Sequence, residues 1–446
     1  MSLINFFSRH IIAPASDKVL DRSIFSKLKF LEQSQWWSRD ELVDYQNQRL
    51  QKMVAFAYRE VPFYKNLFDT HGIRPVSIRT ADDLKNLPIL QKKDIRKIFG
   101  ERNKPSSSYI PMISSGSTGE PLQYSVSSDA FSMHYASAIR GWEWMGYKLG
   151  DRYLKISQHP RDNWMKKLQD FALRSKFFYM PVLSDEHFEE LYGTIKDYDP
   201  AFLRSYPDPL MFFGKYLEKN ELPPPTFKAI NTTGNILYPE AITKIKSITK
   251  SSVYDHYRCE GSSMFCQLKP EGCYYGADEY AITEIVDEDG NNVQPGEKGR
   301  LVTTDLWNRE VPFIRYDTQD VVTKASNTHN HELEHTAIEK IDGRDCDILI
   351  TPDQRLLIVH NFTIYFESIL SVTQFKVIQE KIDFYRFILK VNKTFDLETE
   401  IQIKKDWEKK IGNGVIIDIE VVEEIDPTAS GKRRFLERNS SISIPI

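Results

Sequence analysis

The sequence predicts an α/β protein with a large layered N-terminal domain and a small α+β C-terminal lid domain. Three observations support this prediction. Apolar runs alternate with helical patterns from about residue 109 to residue 320, as in a layered α/β domain. The pattern of apolar and polar residues changes after Gly343-Arg344, where a separate β-α-β pattern follows. The chain has 446 residues, and at roughly 100–200 residues per domain it has room for both.

Hydrophobic periodicity predicts the elements of the first domain. Residues 36–60 are predicted to form a helix, because their apolar side chains recur on one face: Leu50, Met53, Val54 and Ala57. The helix is expected to break at Val61-Pro62. Residues 280–286 and 299–304 are predicted strands, and residues 287–292 form the polar turn that joins them.

The predicted boundary divides the chain into an N-terminal domain of residues 1–342 and a C-terminal domain of residues 343–446. In the second domain, residues 384–391 are predicted to form a strand and residues 396–411 a charged helix. Residues 415–422 are predicted to form another strand, because apolar and acidic side chains alternate there: Ile417, Asp418, Ile419, Glu420 and Val421.

Composition and charge exclude several classes of protein. Lys and Arg number 59 against 63 Asp and Glu, so the net charge of −4 gives no general basic field for nucleic acid. The mean hydropathy is −0.46, and no run approaches the ~18 apolar residues of a membrane span. We therefore expect no nucleic-acid partner and no transmembrane segment. The oligomeric state is not readable from the sequence.

The N-terminus and the cysteines favour a cytoplasmic protein. The first residues lack the basic start and unbroken apolar run of a secretory signal, so a short surface helix or strap is favoured over a membrane-surface anchor. Four cysteines in a long chain do not form a disulfide framework. Cys259, Cys266, Cys273 and His256 have ligand types suited to zinc but not the paired CxxC spacing, so a metal site and buried free thiols both stay open.

The first motif that can carry chemistry is Ile113-Ser-Ser-Gly-Ser-Thr-Gly-Glu-Pro-Leu122. Its glycines allow the backbone to approach a ligand closely, and its N–H groups and hydroxyls can converge on phosphate oxygens. No Gly-Lys-Ser/Thr follows, so it is not a Walker loop. Taken alone, a Ser/Gly/Thr cluster of this kind is more often an ordinary loop.

Four further motifs carry charged residues that suit nucleotide chemistry. Glu260 follows a predicted strand and could bind Mg²⁺ or form a surface salt bridge. Asp320 is expected at a strand end, where it could accept both ribose hydroxyls or lie in a solvated turn. Gly343-Arg344 lies where the pattern of apolar and polar residues changes, and it could be a hinge. Lys432 lies in Asp426-Pro-Thr-Ala-Ser-Gly-Lys-Arg-Arg434, a catalytic loop or a basic tail.

The order of these motifs resembles that of the adenylate-forming superfamily, which includes acyl-CoA synthetases and adenylation domains. The finer resemblance is to the phenylacetate–coenzyme A ligase-like branch, including enzymes of capsular polysaccharide biosynthesis. The following segments carry it: Tyr58-Arg-Glu-Val-Pro-Phe-Tyr64, Leu87-Pro-Ile-Leu-Gln-Lys-Lys-Asp-Ile-Arg96, Tyr206-Pro-Asp-Pro-Leu210 and Thr232-Thr-Gly-Asn235. The resemblance extends from about residue 30 to residue 436.

This resemblance implies roles for individual residues. The loop over the ATP phosphates would comprise Ser114, Ser115, Gly116, Ser117, Thr118 and Gly119. The segment beside the adenine and the acyl group would comprise Thr233, Gly234 and Asn235. Leu122 replaces a lysine that many relatives carry, although the phenylacetate-like branch often lacks it.

The resemblance also assigns the charged motifs. Glu260 would be a catalytic residue and the Mg²⁺ ligand, although the family pattern Tyr-Gly-x-Ser/Thr-Glu is irregular here. Tyr257 matches the tyrosine of that pattern if one residue is deleted, whereas an ungapped alignment places His256 there. The remaining assignments are the ribose ligand Asp320, the junction residue Arg344 and the mobile catalytic Lys432. The usual hinge acid falls on Cys346.

The implied activity is ATP- and Mg²⁺-dependent conversion of a carboxylic acid to an acyl-adenylate, followed by transfer to an acceptor. Coenzyme A is the commonest acceptor in the family, and a carrier-protein thiol in trans or an amine are the alternatives. A different class of function is a catalytically inactive scaffold of the same fold in polysaccharide biosynthesis. Four aromatic residues suggest either an apolar acyl pocket or core packing: Phe131, Tyr135, Trp142 and Trp144.

Overall fold

A computed structural model describes residues 2–446 apart from several short segments. The segments outside the description are 102–108, 114–121, 158–160, 162–163, 181–184, 235, 238, 260–262, 327–331, 345–347, 354–355, 359–360, 363–364, 367–368, 370, 413, 427–434, 440 and 443–446. By its internal contacts the chain divides into two units. The first comprises residues 1–113, 123–318 and 322–341, and the second comprises residues 114–122, 319–321 and 342–446.

The described helices before residue 342 are α1 (Leu3–Phe7), α2 (Ala13–Val19), α3 (Ile24–Ser34), α4 (Arg39–Glu60), α5 (Pro62–Thr70), α6 (Lys92–Glu101), α7 (Ser128–Trp144), α8 (Trp164–Ala172), α9 (Asp185–Tyr198), α10 (Pro207–Lys219) and α11 (Pro239–Thr249). A π-helical turn, Ser8–Ile12, joins α1 to α2, so this part of the N-terminus is helical. Within the part of the chain that the structure describes, no helix is both long enough and apolar enough to cross a membrane.

The described strands of the same region are β1 (Ile110–Ile113), β2 (Gln123–Val126), β3 (Tyr153–Ser157), β4 (Ser175–Tyr179), β5 (Phe202–Ser205), β6 (Ala229–Thr233), β7 (Ser252–Cys259), β8 (Ser263–Gln267), β9 (Tyr274–Gly276), β10 (Ala281–Val286), β11 (Lys298–Asp305), β12 (Tyr316–Lys324) and β13 (Ala337–Arg344). β1 and β2 pair with each other, and the others form one sheet in the order β10-β11-β12-β13-β9-β8-β7-β6-β5-β3-β4. β4, β3, β5, β6 and β7 run parallel, with helices between successive strands.

Helix α4 confirms the periodicity prediction. Ser38 caps its N-terminus through a reciprocal capping box with Glu41, which satisfies two backbone N–H groups that would otherwise lack partners. The four apolar residues predicted to share a face are all buried. Val61 ends the helix, because Pro62 begins α5 at a position where the missing N–H costs nothing.

The parallel strands have an apolar core on each face, because successive side chains point to opposite sides. On one face Tyr153, Phe202 and Ala229 pack with α3 and α7 in one cluster. On the other face Leu154, Leu203 and Ile230 belong to a second cluster with α9, α10 and α11. Covering both faces is the arrangement expected of a parallel sheet. The predicted strands at 280–286 and 299–304 are confirmed as the antiparallel pair β10 and β11.

A buried ion pair ties two parts of the first unit together. Arg140 on α7 donates from Nη1 to Oε1 of Glu279 over 2.8 Å, and the two side chains are 2% and 0% exposed. The hydroxyl of Ser34 on α3 donates to the same carboxylate oxygen. Burial acts to raise the pKa of Glu279, but the positive charge of Arg140 and the neighbouring His335 outweigh it, so the pKa is lowered. The carboxylate is therefore charged in the folded protein at neutral pH.

The C-terminal region contains β14 (Ile348–Ile350), β15 (Leu356–Ile358), β16 (Val372–Lys381), β17 (Phe384–Val391), α12 (Leu397–Ile411), β18 (Ile416–Val422) and β19 (Leu436–Arg438). Four strands form a sheet in the order β18-β17-β16-β19. β17 and β18 are parallel, so the predicted β-α-β unit is confirmed. The ring of Trp407 stacks on Phe362 with centroids 4.1 Å apart, and both are fully buried in the core of this unit.

Candidate active site

The best-defined part of the candidate site lies at the carboxyl ends of β6 and β7. Thr233 is the last residue of β6, and it lies directly opposite His256 of β7 in the parallel register. Because residues opposite each other in a sheet point to the same face, these two side chains share the face that packs with α7. The structure therefore brings together two segments that lie more than twenty residues apart in sequence.

Gly234 allows the chain to turn at this edge of the sheet. Its φ is +84°, a region that side chains rarely adopt, and a Cβ there would lie 2.4 Å from Cε1 of the Tyr206 ring. Tyr206 follows β5 and stands at the N-cap position of α10, where its side chain makes no capping hydrogen bond. Glycine is needed here for two independent reasons, its backbone conformation and the close approach of the aromatic ring.

We predict that Gly234→Ala lowers acid-dependent pyrophosphate exchange by about tenfold or more, because the shifted ring and backbone would misplace bound reactants. Gly72→Ala is the matched control. Gly72 also has a positive φ, +64°, but a Cβ there meets nothing within 4 Å. Initial rates at saturating ATP measure the effect. Equal rates for Gly234→Ala and Gly72→Ala would contradict the prediction.

His256 and Tyr257 point to opposite faces of β7. His256 is 4% exposed, and its Nε2 has no hydrogen-bond partner among the described residues. Burial and, secondarily, the charge of Arg204 lower the pKa of His256 to about 3, so its imidazole is neutral. Tyr257 instead packs near Phe265, with ring centroids 6.2 Å apart. The ungapped alignment places His256 at the tyrosine of the family pattern, and His256 is the residue that lies opposite Thr233.

The cysteine cluster does not form a metal centre in the described residues. Cys259 and Cys266 are buried, Cys273 is partly buried, and these three cysteines form no disulfide. Burial raises the pKa of Cys266 to about 12, which keeps the thiol protonated. In the described ranges, no group of three or more His, Cys, Asp or Glu side chains is arranged to hold a metal ion.

Asp320 occupies a position different from the one expected. It is buried in the middle of β12, not at a strand end, because apolar Tyr316, Val321 and Val322 extend the strand through the polar motif. Arg344 is the last residue of β13, the neighbour of β12 in the sheet. The expected strand-end geometry of Asp320 was therefore wrong, whereas its role in binding stays a prediction.

Arg315 is a positioning residue that the sequence reasoning missed. Its φ is +52°, and its backbone N–H donates to Oγ1 of Thr304 over 2.9 Å. Its buried guanidinium donates to one carboxylate and three carbonyl oxygens, at distances of 2.5–3.2 Å: Glu284, Lys85, Leu87 and Gly290. It thereby anchors the start of the strand that carries Asp320. The only sequence signal was its place as the first residue of the motif Arg315-Tyr-Asp-Thr-Gln-Asp320.

Several predicted site residues lie outside the described residues. These are Ser114, Ser115, Gly116, Ser117, Thr118, Gly119, Asn235, Glu260, Cys346 and Lys432. The four aromatic residues of the suggested acyl pocket are described. All four pack against the cluster beneath α7 or against each other, with Trp142 close to Tyr153 and Phe131 close to Tyr135.

Comparison with known proteins identifies relatives across most of the chain. A phenylacetate–coenzyme A ligase of Thermus thermophilus is 24% identical over 397 residues, which cover 86% of each chain. A phenylacetate–coenzyme A ligase of Escherichia coli is 25% identical over 331 residues, which cover 70% of this chain and 73% of that protein. Residues 349–439 match the family model of the CapK C-terminal domain.

Solved structures show the same fold. A 2-hydroxyisobutyryl-CoA ligase in the postadenylation state, in complex with 2-HIB-AMP, has a TM-score of 0.69 at 16% identity, covering 92% of each chain. The same ligase with 2-HIB-AMP and CoA in the thioesterification state has a TM-score of 0.59 at 18% identity, covering 90% of each chain. The predicted α/β fold with a small C-terminal domain is confirmed.

Together these comparisons confirm the resemblance to adenylate-forming enzymes of the phenylacetate–coenzyme A ligase-like branch. They also bear out the prediction that the chain is an enzyme of this ligase class.

Proposed function

From this resemblance in sequence and fold, we propose that the chain activates a carboxylic acid with ATP to form an acyl-adenylate and then transfers the acyl group to coenzyme A. The observation that carries the proposal is the match to a phenylacetate–coenzyme A ligase over 86% of both chains. A match of that extent includes the first four of the five sequence motifs wherever in the chain it begins. The fold supports it, since the structure of a CoA ligase with an acyl-AMP compound covers 92% of this chain.

The chemistry explains why such a site needs cations and positioned donors. A carboxylate is a poor electrophile, and a thiol does not displace its oxygen directly. Attack of the carboxylate on the α-phosphate of ATP releases pyrophosphate and leaves an acyl-adenylate, whose leaving group is AMP. Because charge gathers on phosphate oxygens, catalysis depends on positioning and electrostatic stabilisation.

We assign these tasks to the residues that the family pattern identifies. Ser114, Ser115, Gly116, Ser117, Thr118 and Gly119 bind the ATP phosphates in this proposal. Thr233, Gly234 and Asn235 line the adenine and acyl subsites. His256 takes the place first given to Tyr257, because it lies opposite Thr233 and Tyr257 points to the other face of β7. Asp320 binds the ribose, and Arg344 acts at the junction of the two domains.

Two charged residues complete the proposed catalytic machinery. Glu260 is the proposed Mg²⁺ ligand, and a carboxylate oxygen is the donor type that Mg²⁺ prefers. Lys432 is proposed to stabilise the charge that develops on the phosphate during adenylation.

The second step of the proposed reaction depends on a movement of the C-terminal domain. We propose that residues 343–446 act as a mobile lid that presents Lys432 for adenylation and withdraws it before the thiol reacts. Gly343 has a φ of +129°, a conformation that favours glycine, at the start of this segment. A carrier-protein thiol or an amine is the alternative acceptor. The match to the CapK C-terminal domain supports a role in capsule polysaccharide biosynthesis, which we place in the cytoplasm.

Pyrophosphate exchange into ATP tests the first half-reaction directly. Purified protein is incubated with Mg²⁺, ATP, labelled pyrophosphate and one acid at a time from a panel of aryl, fatty, hydroxy and amino acids. We expect at least one acid to raise exchange well above the acid-free rate. The best acid is then tested with coenzyme A, and formation of the thioester is followed by mass spectrometry.

The two outcomes that would contradict the proposal are distinct. Absence of acid-dependent exchange from folded protein across the panel would overturn the ligase activity and favour the scaffold alternative. Exchange without thioester formation would overturn only the choice of coenzyme A as the acceptor.

A further inference from the structure

Basic side chains cross the α7-facing side of the parallel sheet near the candidate site. Lys155 lies on β3, Arg204 on β5 and Arg258 on β7. Strand alternation places all three on the face of Tyr153, Phe202 and His256. Lys155 and Arg204 are half-buried and Arg258 is exposed, so the basic row lies at the edge of the apolar core, where half-buried cations need a physical reason.

Lys155 and Arg204 are direct neighbours. They lie opposite each other in the parallel register of β3 and β5, where strands are about 4.8 Å apart. The Arg204 guanidinium lies 5.5 Å from the centroid of the Trp142 ring, and its Nε is buried without a hydrogen-bond partner among the described residues. The Lys155 ammonium lies 5.5 Å from the centroid of the Phe177 ring.

The described carboxylates nearby do not balance these charges. Asp170 acts on Lys155 electrostatically, but both of its oxygens accept hydrogen bonds from Arg161 at 2.6 Å. Within the described part of the chain, neither Lys155 nor Arg204 forms a salt bridge. Burial, followed by the charges of Arg204, Arg161 and Arg258, lowers the pKa of Lys155 to about 7. An anion bound between these side chains would relieve both the repulsion and the cost of burial.

Two buried histidines adjoin the basic row. His134 of α7 and His256 of β7 are 8% and 4% exposed, and His134 Nδ1 and His256 Nε2 lack hydrogen-bond partners among the described residues. Burial comes first among the causes that lower the pKa of His134, followed by the charges of Arg258 and Arg204. Neutral imidazoles can donate a hydrogen bond to a ligand without adding further positive charge.

The connections between the strands also indicate a ligand site beside Lys155 and Arg204. β3 connects through α8 to β4 on one side, whereas β5 connects through α10 to β6 on the other. In open parallel sheets, ligands bind outside the carboxyl ends of the strands where the connections diverge in this way. Lys155 and Arg204 stand on the two strands that flank this divergence.

We propose that Lys155 and Arg204, with Arg258 beside them, bind a second negatively charged group of the acid substrate, so that the enzyme activates acids carrying a further carboxylate or phosphate. This inference rests on the proposed adenylating function and adds a substrate class to it. The reacting carboxylate lies toward Thr233 and Gly234, and the second anion lies toward β3. An uncharged acyl chain would leave the basic row without a counter-charge.

Exchange assays with matched acids test the proposal. Each pair differs in the second anion: phenylacetate against 4-carboxyphenylacetate, butyrate against glutarate, and glycerate against 3-phosphoglycerate. In at least one pair, we expect kcat/KM for the acid with the second anionic group to exceed kcat/KM for its partner by about tenfold to a hundredfold. This is the range that one charge-assisted hydrogen bond provides. The glutarate and phosphoglycerate arms separate a carboxylate from a phosphate preference.

Substitutions then assign the preference to the basic row. Lys155→Met and Arg204→Gln are each expected to reduce the preference about tenfold, mainly by raising KM for the anionic acid. Arg204→Lys retains the charge and is expected to retain most of the preference. Lys176→Gln removes an exposed cation from β4 and is the matched control, expected to change nothing. Circular dichroism and acid-independent ATP binding verify folding of each variant.

The results distinguish a failure of the proposed ligase function from a failure of the second-anion site. If no acid supports exchange, the proposed ligase function fails. If uncharged acids exchange and no anionic partner is preferred, the ligase function stands and the second-anion site is wrong. The site is also wrong if the variants raise KM for ATP or coenzyme A equally with every acid, because the basic row would then bind cosubstrate phosphates.

Discussion

Lys432→Ala is expected to reduce acid-dependent pyrophosphate exchange by on the order of 10²–10³-fold, the loss typical of removing one donor that stabilises charge in the transition state. The proposed role of Lys432 is to contact the phosphate only while charge develops there. The rate constant should therefore fall more than the affinity for ATP. Initial exchange rates across a range of ATP concentrations separate the two effects.

The second half-reaction provides an internal control for this variant. Preformed acyl-adenylate bypasses the first step, so Lys432→Ala should convert it to thioester at nearly the wild-type rate. Arg433→Ala removes the neighbouring charge and is expected to retain exchange. Unchanged exchange by Lys432→Ala would show that another residue supplies the catalytic cation. An equal loss in both half-reactions would contradict a role confined to adenylation.

Glu279→Gln is expected to lower the free energy of unfolding of the first unit by about 3–5 kcal/mol. The substitution leaves the Arg140 guanidinium charged and 2% exposed, without the carboxylate that now compensates it. Urea denaturation at pH 7, followed by tryptophan fluorescence, measures the loss. All but one of the tryptophans precede residue 342, so the signal reports mainly on this unit.

Two comparisons make the result specific to burial. Glu218→Gln breaks an ion pair with Lys244 whose carboxylate is 58% exposed, and it should cost at most about 1 kcal/mol. Arg140→Met combined with Glu279→Leu removes both charges and should recover much of the lost stability. Similar losses for Glu279→Gln and Glu218→Gln would contradict the importance of burial.

The pH dependence has a definite sign. Because the folded pKa of Glu279 is lowered, its stabilising contribution is present above the unfolded pKa of about 4.3 and is lost as the pH falls through the folded pKa. The stability difference between wild type and Glu279→Gln should therefore be constant near neutral pH and narrow below about pH 4. Urea midpoints measured from pH 7 downwards test this.

Local patterns predicted local structure well. The strand Phe384–Val391 and the helix Leu397–Ile411 follow from alternation and from 3.6-residue periodicity, which depend only on nearby residues. The β18 pattern also holds at Ile417, which is buried, but Val421 is 49% exposed because the alternation outlasts the packed core. Alternation of this kind shows which face of a strand is buried, but it does not show how many residues of the strand the core buries.

Long-range arrangement was not predictable in the same way. Nothing near Arg140 indicates a partner 139 residues away, and the order of strands in the large sheet depends on crossovers that leave no local pattern. Asp320 was expected at a strand end, where it could accept both ribose hydroxyls. Its strand continues because Arg315 anchors its start and because Val321 and Val322 are buried, and both the anchoring contacts and the burial depend on residues distant in sequence.

The placement of β18 and β19 limits where Lys432 can act. These strands form opposite edges of the four-stranded sheet, so residues 423–435 connect one edge to the other across about 14 Å. Only four peptide units separate Lys432 from Leu436, so its Cα stays within about 14 Å of the start of β19. Covalent geometry alone therefore limits the reach of Lys432 to that distance from the sheet. In the role proposed for Lys432, insertion of glycines between it and Leu436 is expected to lower its effective concentration at the phosphate.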